Sequence, residues 1–339
     1  MSFIRPKKIV FCNNKGGVGK TTLLFNIASE MSKQGTRVAM VDLDPQCNLT
    51  MNVVGEENSE DVFNGNTQNI HDVLKNLEAG TGDIDINVKP YIVTENQLYL
   101  IPGSLALSSF EDNVMNTAFL ETTSGIERGF RITSAINRYL DKVAFDYNID
   151  LFLIDTSPNL GVLNKVAILS TDFFVVPVNP NIFSVQGVQH IGKTFVKWKN
   201  DWKAIQSVSG KSYPVELVLR SDPVFLGWIL NNYTPYSSNP AKLQQLYIDK
   251  LKQAVSGNLS SCLTKNGLFT ITQDYLGKIQ QFGTLMQRTH ERALAVVNMQ
   301  EENIKVLPPG SKEVYDHVKK EIEDTSNVIM QLAQKYQNS

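Results

Sequence analysis

The sequence has few cysteines, and none of them lies in a pair suited to holding a metal. The three cysteines, Cys12, Cys47 and Cys262, form no CxxC motif and no spacing typical of a zinc site. We therefore expect reduced, structural thiols. Neither an iron–sulfur cluster nor a cysteine-based metal sensor is expected.

Long apolar runs are also lacking. No stretch approaches the ~18–20 consecutive apolar residues of a membrane span, and the first residues lead into a strand-like run without the apolar core of a signal peptide. We expect a cytoplasmic protein without a membrane partner. The net charge of −2 argues against a surface that is basic throughout, as constitutive nucleic-acid binders usually have, but it allows a local basic patch.

Short apolar runs alternate with helix-like stretches along the chain. The runs are apolar at nearly every position, as expected of strands that are buried on both faces of a sheet. They lie at residues 9–12, 38–42, 98–101, 151–154, 173–178 and 228–230. With helical periodicity between them, this order predicts an α/β fold, a doubly wound and mostly parallel sheet flanked by helices.

We predict a single domain of 339 residues in which several segments are added to the α/β core. The added segments are polar or helical and lie at about 55–95, 112–142 and 189–222. A final amphipathic helix is predicted at 311–337, where apolar residues recur at helical spacing. Its polar face mixes acidic and basic residues, whereas a membrane-surface helix is mainly basic, so we expect it to pack on its own domain.

A glycine-rich segment, KGGVGKTT at residues 15–22, lies between the first apolar run and a helix-like pattern. Glycines let the backbone curl so that its N–H groups point at phosphate oxygens, and the start of a helix adds its positive dipole end. Lys20 can reach the β- and γ-phosphates, and the Thr21 hydroxyl can ligate Mg²⁺. The residues predicted to bind a nucleotide here are Gly16, Gly17, Val18, Gly19, Lys20, Thr21 and Thr22.

Two further motifs place carboxylates at strand ends, where ligands bind in an open α/β sheet. Asp42 and Asp44 follow the second apolar run, and both lie on the same side if the strand persists. Asp155 ends the apolar run LFLID, an arrangement in which the carboxylate approaches Mg²⁺ directly or through a water molecule. The sequence therefore predicts a site for a hydrolysable nucleotide and Mg²⁺, with Thr21 and Asp155 near the metal.

The loop KGGVGKTT, with a second lysine (Lys15) at its front, resembles the deviant Walker A loop of the ParA/MinD family of P-loop ATPases. The motif DLDPQ at 42–46 resembles the switch of ParA proteins, and LFLIDTSP at 151–158 resembles their Walker B strand and turn. Further segments that resemble family strands and turns are 100–104, 176–187 and 226–233.

The resemblance implies ATP hydrolysis by a homodimer that forms when ATP binds. Lys15 would reach across the dimer interface to the partner's nucleotide, and Asp44 would position the attacking water. Asp42 would support the Mg²⁺ shell, and Asn231 or Asn232, at the end of a strand, would contact adenine. The catalytic residues predicted in this way are Lys15, Lys20 and Asp44. Hydrolysis would be slow until a ParB-like activator protein binds.

By the same resemblance, the function would be the positioning or partition of plasmid or chromosomal DNA through non-specific, nucleotide-switched DNA binding, with the protein associated with the nucleoid. Candidate DNA contacts lie in two segments. They are Lys193, Lys197, Lys199 and Lys203 in the first, and Lys278, Arg288, Arg292 and Lys305 in the second. The alternative is a MinD-like or regulatory ATPase switch that acts on a protein cargo or partner without DNA binding.

Overall fold

Ten strands occur in the computed structural model, which describes residues 5–95, 97–209, 212–236, 239–240, 242–272 and 274–336. They are β1 (Lys7–Phe11), β2 (Val38–Leu43), β3 (Tyr91–Thr94), β4 (Leu98–Ile101), β5 (Leu151–Thr156), β6 (Phe173–Val178), β7 (Val224–Tyr233), β8 (Pro235–Tyr236), β9 (Asn239–Pro240) and β10 (Tyr275–Gln280). Eight of them form one sheet in the order β10-β7-β6-β1-β5-β2-β4-β3, while β8 and β9 pair separately. Every neighbouring pair in the large sheet is parallel except β3 and β4. The predicted fold class is therefore confirmed.

Helices cover both faces of the large sheet. One face carries α1 (Lys20–Lys33), α2 (Asn48–Val54) and α3 (Glu56–Phe63). The other face carries α4 (Ile70–Glu78), α5 (Ala106–Phe110), α6 (Asn116–Thr123), α7 (Glu127–Thr133), α8 (Ala135–Tyr147), α9 (Val162–Ser170), α10 (Ile182–Val208), α11 (Lys242–Ala254) and α12 (Ser261–Lys265). The chain then returns to the first face with α13 (Leu285–Arg292), α14 (Glu301–Lys305) and α15 (Ser311–Lys335). Each face buries its own apolar cluster, which explains why the central strands are apolar at successive positions.

The direction of the crossovers changes at the centre of the sheet. The chain passes from β1 to β2 on one side and from β5 to β6 on the other, while β1 and β5 lie side by side. Opposite crossovers open a crevice at the carboxyl ends of these two strands, where doubly wound folds bind their ligands. The register pairs Phe11 with Asp155, so the residues that follow β1 meet those at the end of β5.

Two strands of the sheet are missing from the sequence prediction, and both lie at its edges. β3 and β10 are the outermost strands, and several of their residues are half-buried or exposed. An edge strand has only one neighbour and partial cover, so its sequence need not be apolar at every position. The pattern that identifies a central strand therefore does not identify these two.

The third predicted insertion, 189–222, begins inside a helix rather than at a boundary between elements. α10 runs without a break over 27 residues between β6 and β7, so residues 189–208 continue the crossover helix itself. Trp198 and Trp202 on this helix are buried in the core. Phe195, which stacks on Trp198, packs on Phe174 of β6, whereas Trp202 packs on Phe119 of α6 and Phe130 of α7, so these aromatic residues join α10 to the sheet and to its neighbouring helices.

The C-terminal helix α15 packs along α1 and β10. Its buried stripe includes Tyr315, Val318, Ile322 and Ile329, and Gln337, at the end of the predicted range, lies outside the described residues. The helix is therefore part of the layer that covers the sheet. Within the described ranges, no helix is both long enough and apolar enough to cross a membrane.

Candidate nucleotide-binding site

The loop between β1 and α1 curls around a cleft of about 260 Å³. Gly17 and Gly19 have φ angles of 72° and 80°, in the left-handed region that favours glycine. The cleft is lined by Gly16, Gly17, Val18, Gly19, Lys20, Thr21, Thr22, Asp44, Gln46, Asn48, Asn52 and Pro158. The predicted loop residues thus surround one cavity, and Asp44 reaches it from the end of β2.

Asp155 lies at the end of β5, directly beside this loop. Its carboxylate is fully buried, and the Thr21 hydroxyl donates a hydrogen bond to Oδ2 at 2.6 Å. Oδ1 has no hydrogen-bond partner among the described residues. Burial, reinforced by the charge of Asp42, raises the pKa of Asp155 to about 7. A buried carboxylate oxygen without a partner, next to a hydroxyl, fits Mg²⁺, which takes a few protein oxygens and completes its shell with phosphate and water.

Lys20 is buried at the base of the cleft. Burial lowers the pKa of its ammonium group, and the nearby carboxylates of Asp155 and Asp44 oppose this shift. In the part of the chain that the structure describes, Lys20 forms no ion pair. Its donors are therefore available to phosphate oxygens, as the sequence predicts.

Asp42 and Asp44 are two residues apart but have different surroundings. Asp42 is fully buried, and its Oδ1 accepts a hydrogen bond from the Asp44 N–H at 3.1 Å. Its Oδ2 accepts from the N–H and the hydroxyl of Thr50, at 2.8 and 2.7 Å. Burial raises the pKa of Asp42 to about 6 despite these bonds. Because both oxygens already have protein partners, these contacts indicate that Asp42 stabilises the turn at Asp44. Its role at the metal stays a prediction.

Lys15 lies half-buried at the mouth of the cleft. Its Nζ donates to Asn181 Oδ1 at 3.2 Å and lies 4.8 Å from the centre of the Phe183 ring. No described carboxylate forms an ion pair with it. The ammonium group is thus held only by neutral groups, and Phe183 itself is 63% exposed.

The two asparagines predicted to contact adenine occupy different places. Asn231 is only 3% exposed and lies behind the loop, where its Nδ2 donates to the Val18 carbonyl at 2.9 Å. Asn232 is half-buried with a φ of 56°, and its Nδ2 donates to Asn179 Oδ1 at 3.3 Å. The structure brings both side chains beside Gly19 of the loop, and neither is among the residues that line the cleft.

Three more asparagines, which the motifs do not single out, complete the surroundings of the loop. Asn13 and Asn179 follow the ends of β1 and β6, and Asn181 precedes α10 and caps it. Asn179 Nδ2 donates to the Gly17 carbonyl at 3.2 Å, and Asn181 holds Lys15. The signal that could have identified them is their position at strand ends, where ligands bind in this class of sheet.

The basic residues of α10 are divided between the core and the surface. Lys199 is buried and, together with Lys203, pairs with Asp222. Lys193 and Lys197 are exposed and form no ion pair with a described residue. Only these two lysines of the segment are therefore free to contact an anionic partner.

The basic residues of the C-terminal third are spread over several elements. Lys278 on β10 lies 5.4 Å from the centre of the Tyr233 ring, and Arg288 on α13 pairs with Glu291. Arg292 ends α13, and Lys305 ends α14. Because these residues belong to three different elements, they do not form a stripe along one helix.

Comparison with known proteins identifies the family of the chain. The model of the AAA_31 family, described as an AAA domain, matches residues 6–206, which is more than half of the chain. A protein of Methanocaldococcus jannaschii is 28% identical over 243 residues, covering 70% of this chain and 80% of that protein. The ParA family protein pGP5-D of Chlamydia psittaci is 30% identical over 187 residues, and the sporulation initiation inhibitor Soj of Bacillus subtilis is 29% identical over 188. The match to pGP5-D covers 61% of that protein and 55% of this chain. The match to Soj covers 64% of that protein and 56% of this chain. The chain therefore spans less than two thirds of each of these two relatives.

Solved structures share the fold. DIP2308 from Corynebacterium diphtheriae has a TM-score of 0.66 at 24% identity, over 85% of this chain and 97% of that one. A putative plasmid partition protein from Borrelia burgdorferi, bound to AMPPNP, has a TM-score of 0.60 at 20% identity, over 96% and 99% of the two chains. Since the AAA_31 model matches more than half of the chain and the similar proteins include a ParA family protein and Soj, the chain belongs to the AAA_31 family of ParA/MinD-like P-loop ATPases.

Proposed function

We propose that this protein hydrolyses ATP slowly, dimerises when ATP binds, and in that state binds DNA non-specifically to position or segregate it. The observation that carries the proposal is Lys15, a cation at the cleft mouth that is held only by neutral groups. A lysine without a carboxylate partner can leave its place at little electrostatic cost. The names of relatives, a ParA family protein and a putative plasmid partition protein, support the partition role.

In the proposed reaction the cleft holds the triphosphate, with its β- and γ-phosphates against the loop N–H groups and Lys20. Thr21 and Asp155 are the protein ligands of Mg²⁺, which when bound offsets the charge of the phosphates. Asp44 lines the same cleft and orients a water molecule toward the γ-phosphate. Positioning and charge stabilisation suffice for phosphoryl transfer, so no general base is needed.

Apolar residues around the cleft mouth support a dimer. Ile182 and Phe183 begin α10, beside Lys15, and are 39% and 63% exposed. Leu160, in the turn after β5, is 42% exposed. Exposed apolar side chains beside a cation are suited to burial against a second copy, in which each Lys15 would reach the partner's nucleotide. The two sites would then be completed only in the dimer.

The surface of α10 is the proposed DNA contact. Its exposed residues include Gln186, His190, Lys193, Lys197 and Asn200, which lie along one side at helical spacing. The carboxylate of Asp201, one turn after Lys197, pairs with Lys165. Lys193 and Lys197 are one turn apart, roughly 6 Å along the helix axis, a separation that suits successive phosphates. The chain is acidic overall, so its net charge would not attract DNA. Dimerisation would instead give the complex two copies of this local basic patch.

Binding to a non-specific duplex tests the proposal. Wild type and the hydrolysis-deficient Asp44→Ala variant are compared with ATP and with ADP, over a series of salt concentrations. We expect DNA binding with ATP only, and an affinity that falls steeply with salt because phosphate contacts release counterions. A dimer that forms with ATP but does not bind DNA would reject the DNA role.

That negative result would favour the alternative, a switch that acts on a protein partner. The observations that support the alternative are the net charge of −2 and the exposed apolar residues Leu120 and Ile126 on and beside α6. In this alternative, the activating partner is not ParB-like but is a protein that docks on this helical segment. ATP-dependent capture of such a partner without DNA would identify this second function.

A further inference from the structure

Two side-chain amides hold two successive carbonyl groups of the phosphate loop. Asn231, at the end of β7, donates to the carbonyl of Val18 at 2.9 Å, and Asn179, after β6, donates to the carbonyl of Gly17 at 3.2 Å. Asn231 is almost fully buried, and neither asparagine is among the residues that line the cleft. Both therefore contact the loop without lining the cleft in which the phosphates would lie.

The direction of these carbonyls determines the direction of the loop N–H groups. A peptide unit is planar and trans, so its C=O and N–H point in opposite directions. Holding the Val18 carbonyl toward Asn231 turns the Gly19 N–H the opposite way, and the bond to the Gly17 carbonyl does the same for the Val18 N–H. Val18 and Gly19 line the cleft, so these N–H groups are directed toward the phosphate position.

Packing at Gly19 shows how close the Asn231 contact is. A Cβ placed on Gly19 would lie 2.2 Å from Asn231 Nδ2, far inside contact distance. Glycine is thus required at this position both by its φ of 80° and by the amide behind it. Asn232 donates to Asn179 Oδ1 at 3.3 Å, so the residue next to Asn231 also fixes the second amide.

We propose that Asn231 and Asn179 are positioning residues that orient the loop N–H groups toward the phosphates, and that Asn231 does not recognise the adenine base. The inference rests on the proposed nucleotide site. It gives Asn231 a role in orienting the loop instead of contact with the base. Half-buried Asn232 keeps base contact as its predicted role. A ligand that consists only of phosphate should therefore depend on Asn231 as strongly as a complete nucleotide does.

The test compares three ligands with Mg²⁺ by titration calorimetry: ADP, GDP and pyrophosphate. Wild type is measured beside Asn231→Ala and Asn179→Ala. Gln206→Ala is the matched control, because Gln206 is a half-buried amide that donates to a backbone carbonyl, that of Leu219, far from the cleft. Melting temperatures of all four proteins are recorded. Should Asn231→Ala not fold, Asn179→Ala carries the same comparison, since its bond lies nearer the surface.

We expect Asn231→Ala to bind all three ligands about tenfold more weakly, which corresponds to about 1.4 kcal/mol, with the ratio of ADP to GDP affinity unchanged. The KM for ATP should rise by a similar factor, and Gln206→Ala should bind as wild type does. Weaker binding of ADP alone, with pyrophosphate unaffected, would show base contact and overturn the inference. Unchanged binding of all ligands would overturn it too, whereas a wild type that binds none of them would reject the nucleotide site itself.

Discussion

At the scale of single residues, Asp42 and Asp44 have identical side chains, yet of the two only Asp44 lines the cleft. Asp42 has both oxygens occupied by the Asp44 N–H and by Thr50, and Gly103 packs against it so closely that a Cβ there would lie 2.9 Å from its carboxyl carbon. The sequence predicts two carboxylates on one side of a strand end. Which of them faces the nucleotide depends on Thr50 and Gly103, which come from other elements.

Asp44→Ala should bind ATP as wild type does but hydrolyse it roughly a hundredfold more slowly, because losing the orientation of the attacking water costs on the order of 10²-fold. Phosphate release at saturating ATP measures the rate, and titration with an ATP analogue measures the affinity. Asp249→Ala, an exposed carboxylate on α11, is the control. A normal rate in Asp44→Ala would remove the catalytic role.

Lys15→Ala should lose ATP-dependent dimerisation and stimulated hydrolysis while keeping monomer stability. The reason is that the Lys15 ammonium group contacts the neutral side chains of Asn181 and Phe183 and forms no ion pair with a described residue, so its removal costs the monomer little. Sedimentation velocity with ATP measures the dimer. Lys142→Ala, which removes a surface lysine paired with Asp146, is the matched control, and an unchanged dimer in Lys15→Ala would contradict the role in trans.

At the scale of elements, α15 and β10 meet at a point where only glycine fits. A Cβ on Gly277 would lie 1.8 Å from the Thr325 hydroxyl oxygen, and Thr325 is fully buried. The edge strand, which lacks a second neighbour, therefore depends on the C-terminal helix for its cover. Neither contact can be inferred from the periodicity of either segment.

Gly277→Ala should lower the free energy of unfolding by about 1–3 kcal/mol, the usual cost of overpacking. The double variant Gly277→Ala with Thr325→Ala should recover part of this loss, because it removes the hydroxyl oxygen and the methyl group, which would lie 1.8 and 2.9 Å from the new Cβ, while the Thr325 Cβ at 2.7 Å remains. Urea unfolding of wild type, both single variants and the double variant measures the coupling. Additive effects, without recovery, would show that the two residues do not limit each other.

The exposed lysines of α10 give a second prediction at this scale. Replacing Lys193 and Lys197 by Gln should weaken non-specific DNA binding in the ATP state and reduce the salt slope by about two. The control replaces Lys312 and Lys335 on α15 by Gln, which gives the same change in net charge on another helix. Equal effects of the two double variants would show that only net charge matters.

At the scale of the whole molecule, buried acidic residues lie close together in the crevice at the carboxyl ends of the central strands. Burial raises the pKa of Asp155 to about 7 and that of Asp42 to about 6, above their unfolded values of about 4. An acid with a raised folded-state pKa favours the fold while it is protonated. This stability is fully present below the unfolded pKa and is lost as the pH rises through the folded pKa.

We therefore expect the metal-free protein to lose stability as the pH rises from about 4 to about 7, on the order of several kcal/mol for the two groups together. Urea unfolding at several pH values, with a chelator present, measures this change. Asp155→Asn removes one of the two acids, so its stability should depend less on pH. An identical pH dependence in both proteins would contradict a raised pKa at Asp155.

The central parallel strands, the glycine-rich loop and the strand-end carboxylates can be predicted from the sequence, because each depends on a few consecutive residues. A buried strand needs apolar side chains on both faces, and a phosphate loop needs glycines before a helix, so local pattern suffices. The edge strands β3 and β10 do not follow that pattern, because they are only partly covered.

Which polar groups meet around the loop depends on contacts between residues that lie far apart in the sequence. Asn231 reaches the Val18 carbonyl across 213 residues of sequence, and Asn181 reaches Lys15 across 166. Such pairings depend on strand order and on the direction of the crossovers, which bring the ends of β1, β6 and β7 to one edge of the sheet. From the sequence alone, an asparagine after a strand could equally be exposed to solvent. Its hydrogen-bond partner depends on which strand lies beside it in the sheet.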